Sequence, residues 1–171
     1  AANGVAQSIW SLAALVGSAM GPVFITVIGQ CMGAKDVDQA KFYFSKLIKW
    51  SLVFSIVWNV LVLAITPCIL QFYNLAYETK HLIFILVIIH NIANTVVFPL
   101  SGPLSQGLRA TGDVKFTMIV SIASTVGGRL VLSIILALKL NLGVIGIALA
   151  MCGDWTIRAI IFYYRYKSNA W

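Results

Sequence analysis

Residues 47–70 read LIKWSLVFSIVWNVLVLAITPCIL. After Lys49 this stretch holds no charged residue. About 20 apolar residues in a helix cross the ~30 Å hydrocarbon core of a bilayer. A stretch of this length and polarity therefore predicts a transmembrane helix from about Leu47 to Leu70, with Pro67 near its end.

The rest of the chain repeats the pattern. Of its 171 residues, 60% are hydrophobic and 10% charged, and the mean hydropathy is +0.94. A water-soluble domain carries roughly 25% charged residues. So few charges cannot solvate a surface of this size, and lipid must cover much of it. The reading is an all-α membrane protein of about five transmembrane helices. The approximate spans are 5–32, 47–70, 81–105, 116–138 and 144–164, taken as one transmembrane domain.

Local signals mark the ends. Gly21-Pro22 predicts a kink in the first span, because proline lacks an N–H donor and its ring crowds the preceding turn. Gly17, Gly21, Gly29 and Gly33 have the small-residue spacing that lets helices approach closely. Asp36 and Gln39 have capping-box spacing. Phe42, Tyr43, Phe44 and Trp50 are aromatic anchors at the interface. Pro99 and Gly102-Pro103 disturb the end of the third span. Asp113 is an N-cap for the fourth, and Asn141-Leu142-Gly143 is a tight turn.

The net charge of +7 does not point to nucleic acid, since the basic residues are dispersed among connectors rather than gathered in a patch. They follow membrane topology instead. Lys35, Lys41, Lys46, Lys49, Arg109, Lys115, Arg165 and Lys167 fall on one side, and Lys80 and Lys139 on the other. This asymmetry places the first connector, the third connector and the C-terminus in the cytoplasm of a multi-pass protein of the cell (inner or plasma) membrane. Residue 1 then lies near the outer face. No signal peptide precedes the first span, so the chain reads as part of a longer one. Cys31, Cys68 and Cys152 form no disulfide or zinc pattern. Nor is there any enzymatic motif, and the chain is read as not an enzyme.

Polar groups inside spans are costly and need an explanation. Arg129, Asp154 and Arg158 are predicted to cluster. Asp154 and Arg158 are four apart on one helix, and Arg129 falls at similar depth on the antiparallel neighbour. The cluster reads as a brace between two helices, or as a gating site. His90, Asn91 and Asn94 share one side of the third span, continued by Ser101 and Ser105. Asn3, Gln7, Ser11 and Ser18 form a stripe on the first. Gln7, Ser11, Asn91 and Asn94 are accordingly expected to line a shared cavity, with interhelical hydrogen bonding as the alternative.

Three stretches carry a resemblance. Ile28-Gly29-Gln30-Cys31-Met32-Gly33-Ala34, followed by Ala40, is similar to an element after the second helix of each half of the multidrug and toxic compound extrusion (MATE) family. Gly107-Leu108-Arg109-Ala110-Thr111-Gly112-Asp113, with Arg129 downstream, resembles a second element of that family. Leu142 to Ala148, then Asp154-Trp155, Arg158 and Arg165 to Trp171, resemble its last helix and tail. The resemblance implies helices eight to twelve of a twelve-helix transporter. That is most of the C-terminal lobe, without the lobe's first helix and without the N-terminal lobe. It further implies a cation-coupled antiporter, driven by Na+ or H+, that exports cationic or amphipathic small organic compounds by alternating access. The third span lacks the acid that one branch of the family uses for coupling, so no ion-binding residue is assigned and no other cofactor is expected. A related lipid-linked saccharide flippase, or a non-transporting membrane scaffold, is the alternative.

Overall fold

The computed structural model describes residues 2–72, 76–139, 141–169 and 171. Among these residues the chain is all-helical, and five helical segments are long and apolar enough to cross a membrane.

Helix α2 (Leu15–Gly33) is the first of these segments, and α1 (Ala2–Ala13) precedes it. They meet at Ala14, where helical hydrogen bonding continues: Ala14 N–H donates to Trp10 O and Ser18 N–H to Ala14 O, both at 2.8 Å. The helix continues through Gly21-Pro22, with Pro22 inside it, and the break between α1 and α2 lies about two turns earlier, at Ala14. A Cβ at Gly17 would come within 2.7 Å of the Phe98 ring, and one at Gly21 within 3.5 Å of Gln106. Gly29 and Gly33 have no such neighbour within 4 Å, so of these two pairs the first is the one that meets another helix among the described residues.

Helix α3 (Val37–Gln71) begins at Asp36, whose carboxylate accepts from the Gln39 N–H at 2.9 Å. Its 35 residues extend about 52 Å at ~1.5 Å per residue. This exceeds the ~30 Å hydrocarbon core, so the first turns, with Lys41, Phe42 and Tyr43, stand in the interface. Helices α4 (Tyr77–Ser101) and α5 (Pro103–Ala110) make one broken span. It starts four residues earlier and ends five later than the hydropathy reading. Gly102 ends α4, and Pro103 restarts the helix at once because its fixed φ suits a first turn.

The fourth span is α6 (Val114–Ala123), a π-helical segment Ser124–Leu130, α7 (Val131–Ile134) and a second π-helical segment Ile135–Lys139. Asp113 occupies the N-cap position of α6, but its side chain does not cap. Arg165 Nε donates to Asp113 Oδ2 at 2.8 Å and Nη2 to Oδ1 at 3.4 Å, and this pair takes the carboxylate instead. Asn141 and Gly143 both have φ of 53°. These two left-handed residues reverse the chain into α8 (Gly143–Lys167). The hairpin is tight, since a Cβ on Gly146 would lie 2.7 Å from the Leu136 carbonyl carbon.

Helix α4 is central and packs against α1, α3 and α8, while α2 packs against α3 and α5. One apolar core joins α1, α3 and α4 through Ile9, Val62 and Leu86. A second, at the basic end, joins Phe24, Phe44, Leu108 and Phe162. Ile119, Ile122, Val126 and Leu138 stand exposed along the fourth span, as a lipid-facing wall requires.

Candidate functional site

A buried polar seam runs between α3 and α4. Ser51, Ser55, Asn59 and Thr66 are spaced by four, four and seven residues, which places them on one helical face, and all are buried. His90, Asn91 and Asn94 are buried on α4. The two helices meet where Asn94 Nδ2 donates to Asn59 Oδ1 at 3.2 Å. Asn59 Nδ2 in turn donates to Ser55 O at 2.8 Å, and Thr66 Oγ1 to Val62 O at 2.7 Å. His90 Nδ1 lies 2.8 Å from Leu86 O. A carbonyl oxygen only accepts, so Nδ1 is the protonated nitrogen there. Asn94 Oδ1, Ser51 Oγ and Ser55 Oγ are buried with no hydrogen-bond partner among the described residues. The seam thus carries spare hydrogen-bonding capacity in an otherwise apolar span, where polar groups mark sites of function.

Among the described residues, the four residues expected to line a cavity are not brought together. Gln7 and Ser11 are exposed, and Ser11 Oγ donates back to Gln7 O at 2.9 Å. Asn91 and Asn94 are only 4% and 1% exposed. Apolar burial decides the difference: Ala6, Ile9 and Ala13 form the buried face of α1, which turns Gln7 and Ser11 outward. Ser18 is also exposed, and the side chain of Asn3 lies outside the described residues. Ser101 and Ser105 are buried, but their hydroxyls donate to Phe98 O and Gly102 O at 3.2 and 2.6 Å and so serve the helix break. Trp10 stacks on Trp155 at 5.6 Å, and Phe98 meets Trp155 edge-on at 5.3 Å, which ties α1 and α4 to α8.

The charged groups divide in two. Asp154 is fully buried, forms an ion pair with Arg158, and accepts the Ser124 hydroxyl. Arg129 does not join them; its Nη2 lies 3.0 Å from Met151 Sδ. The predicted triad is therefore an Asp154–Arg158 pair with Ser124 as third partner. The π-helical segment Ser124–Leu130 accounts for the shift. Its wider i→i+5 turns advance less per residue than α-turns, so Arg129 lags behind the face that regular spacing gives it. Among the described residues, no three His, Cys, Asp or Glu gather to hold a metal.

Sequence reasoning missed Ser51, Ser55, Asn59 and Thr66. The signal was present, because their spacing repeats the intervals of Asn3, Gln7, Ser11 and Ser18. It also missed the Asp113–Arg165 pair, which joins residues 52 apart.

The family model MatE matches residues 1–135. The chain belongs to this family. Two of the three MATE-like stretches, at 28–34 and 107–113, lie inside the matched region. The uncharacterized transporter YisQ of Bacillus subtilis (strain 168) is 25% identical over 168 residues, which is 96% of this chain and 36% of that protein. The chain thus spans about a third of that relative's length. No solved structure gives a significant match. Family and hydropathy together make it a multi-pass membrane protein.

Proposed function

We propose that this chain works as most of the C-terminal lobe, helices eight to twelve, of a cation-coupled antiporter. In this reading the whole protein exports small cationic or amphipathic organic compounds from the cytoplasm by alternating access. The observation that carries the reading is the MatE match over residues 1–135, together with a relative named as a transporter that aligns along 96% of the chain. The positive-inside asymmetry puts the basic connectors and C-terminus in the cytoplasm. Two lobes around a central site are a common transporter plan, and the partner lobe would face the exposed polar side of α1.

Gln7 and Ser11 then line the interlobe cavity. Asn94, bonded to Asn59 on α3, sets the position of α4 beside it, with Asn91 buried one turn away. Asp154 is committed to Arg158 and Ser124, which favours a bracing role over proton carriage. The coupling ion, Na+ or H+, is held elsewhere in the full protein. Nothing in this assignment calls for enzymatic chemistry.

The test is dye efflux by cells that express the full-length protein with Gln7→Leu and Ser11→Leu. A reduced rate or a changed substrate range is expected at equal protein level. Wild-type rate and range would remove both residues from the cavity.

A further inference from the structure

A cleft of about 400 Å³ opens at the basic end of the bundle, between residues 45–52 of α3, the last turns of α8 and Leu100 of α4. Its mouth is lined by Lys49, Lys167, Ser45 and the rings of Tyr163 and Tyr166. Lys167 Nζ sits 6.0 Å from the centre of the Tyr163 ring. Behind the mouth, Leu100 and Tyr163 are shared with a second groove of about 200 Å³ that runs between α4 and α8. That groove is walled by Val96, Ala159 and Ile160. Of its two hydroxyl-bearing residues, Thr156 donates to Cys152 O at 2.8 Å, and Tyr163 stands at the end shared with the cleft. From Lys167 to Thr156 the path follows eleven residues of α8, about 16 Å at ~1.5 Å per residue. This is close to the ~15 Å depth of one leaflet, half of a ~30 Å core. No acidic residue lines either part.

We propose that this continuous cleft and groove bind one anionic glycerophospholipid of the leaflet that faces the basic connectors. The phosphate sits between Lys49 and Lys167, and an acyl chain lies in the apolar groove. Basic pockets between transmembrane helices have the chemistry for anionic headgroups. The same two lysines repel a cationic compound, so this site is separate from any path for a cationic export substrate. The pairing of a basic mouth with a leaflet-deep apolar groove selects an intact lipid over a free phosphate.

Native mass spectrometry of the full chain in a neutral detergent tests this by titration with phosphatidylglycerol, phosphatidylcholine or inorganic phosphate. One phosphatidylglycerol should bind at least about tenfold more tightly than phosphatidylcholine, at about fivefold per lysine. The K49Q/K167Q variant should abolish that preference, whereas Lys139→Gln, at the other end of the bundle, should keep it. Ala159→Trp should weaken phosphatidylglycerol binding with both lysines intact by filling the groove. Equal binding of the two lipids by the wild type would overturn the proposal. So would undiminished phosphatidylglycerol binding in folded K49Q/K167Q, or displacement of the lipid by millimolar phosphate. If K49Q/K167Q fails to fold, the wild-type lipid preference and the Ala159→Trp result decide between these outcomes.

Discussion

Asn94 on α4 donates its side-chain amide to Asn59 on α3 across 3.2 Å, with both residues almost wholly buried. This bond is the one described side-chain hydrogen bond that joins the two helices. Asn94→Leu should strand Asn59 Oδ1 and cost about 1–3 kcal/mol. In a double-mutant cycle, N59L/N94L should be less destabilising than the two single changes added together, by about 0.5–3 kcal/mol. Thermal unfolding in detergent measures all three variants. Strict additivity would show that the two side chains do not interact.

Asp154 and Arg129 should behave differently despite their similar depth. Asp154→Ala leaves Arg158 without its ion partner and should cost about 3 kcal/mol, near the lower end for a buried pair because the Arg158 side chain keeps 20% exposure. Arg129→Gln breaks no ion pair and should stay within about 1 kcal/mol of the wild type. Yield of monodisperse protein and its Tm read both. Equal losses would restore Arg129 to the cluster.

How much was legible in the sequence follows from these two cases. Five spans, the Asp36 cap and the Asn141–Gly143 turn could be read because each rests on local spacing and polarity. The Asp154–Arg158 pair is likewise local, at i and i+4. The place of Arg129 could not be read, because it depends on a π-helical segment that changes the register of the fourth span. The outward turn of Gln7 and Ser11 was also hidden. It is set by which face of α1 meets α4, a tertiary choice that a polar stripe alone does not reveal.

Glycine substitutions should separate sharply by position. A Cβ at Gly146 meets the Leu136 backbone at 2.7 Å, and backbone cannot move aside as a flexible side chain can. Gly146→Ala should therefore destabilise the last hairpin by about 1–3 kcal/mol. Gly29→Ala has open space around it and should be neutral, or stabilising by up to about 1 kcal/mol through helix propensity. Comparison of the two Tm values checks this. A loss at Gly29 that matched Gly146 would place an undescribed neighbour against α2.

Arg165 holds Asp113 through two nitrogens and lies over the Phe116 ring, with its guanidinium carbon 4.6 Å from the ring centre. Arg165→Lys keeps the charge but loses the fork and the stacked plane. It should destabilise by about 1 kcal/mol, the scale of a partly exposed pair. Arg165→Ala should be no more than slightly worse. Full retention of Tm in Arg165→Lys would show that charge alone matters there.

The central claim is gradient-driven export, and transport in proteoliposomes tests it most directly. The full-length protein is reconstituted, a Na+ or H+ gradient is imposed, and movement of a cationic dye is followed by fluorescence. The account predicts dye movement against the direction of ion flow, which stops when the gradient is collapsed and slows in Q7L/S11L. Folded, reconstituted protein that moves no dye under either gradient would contradict it.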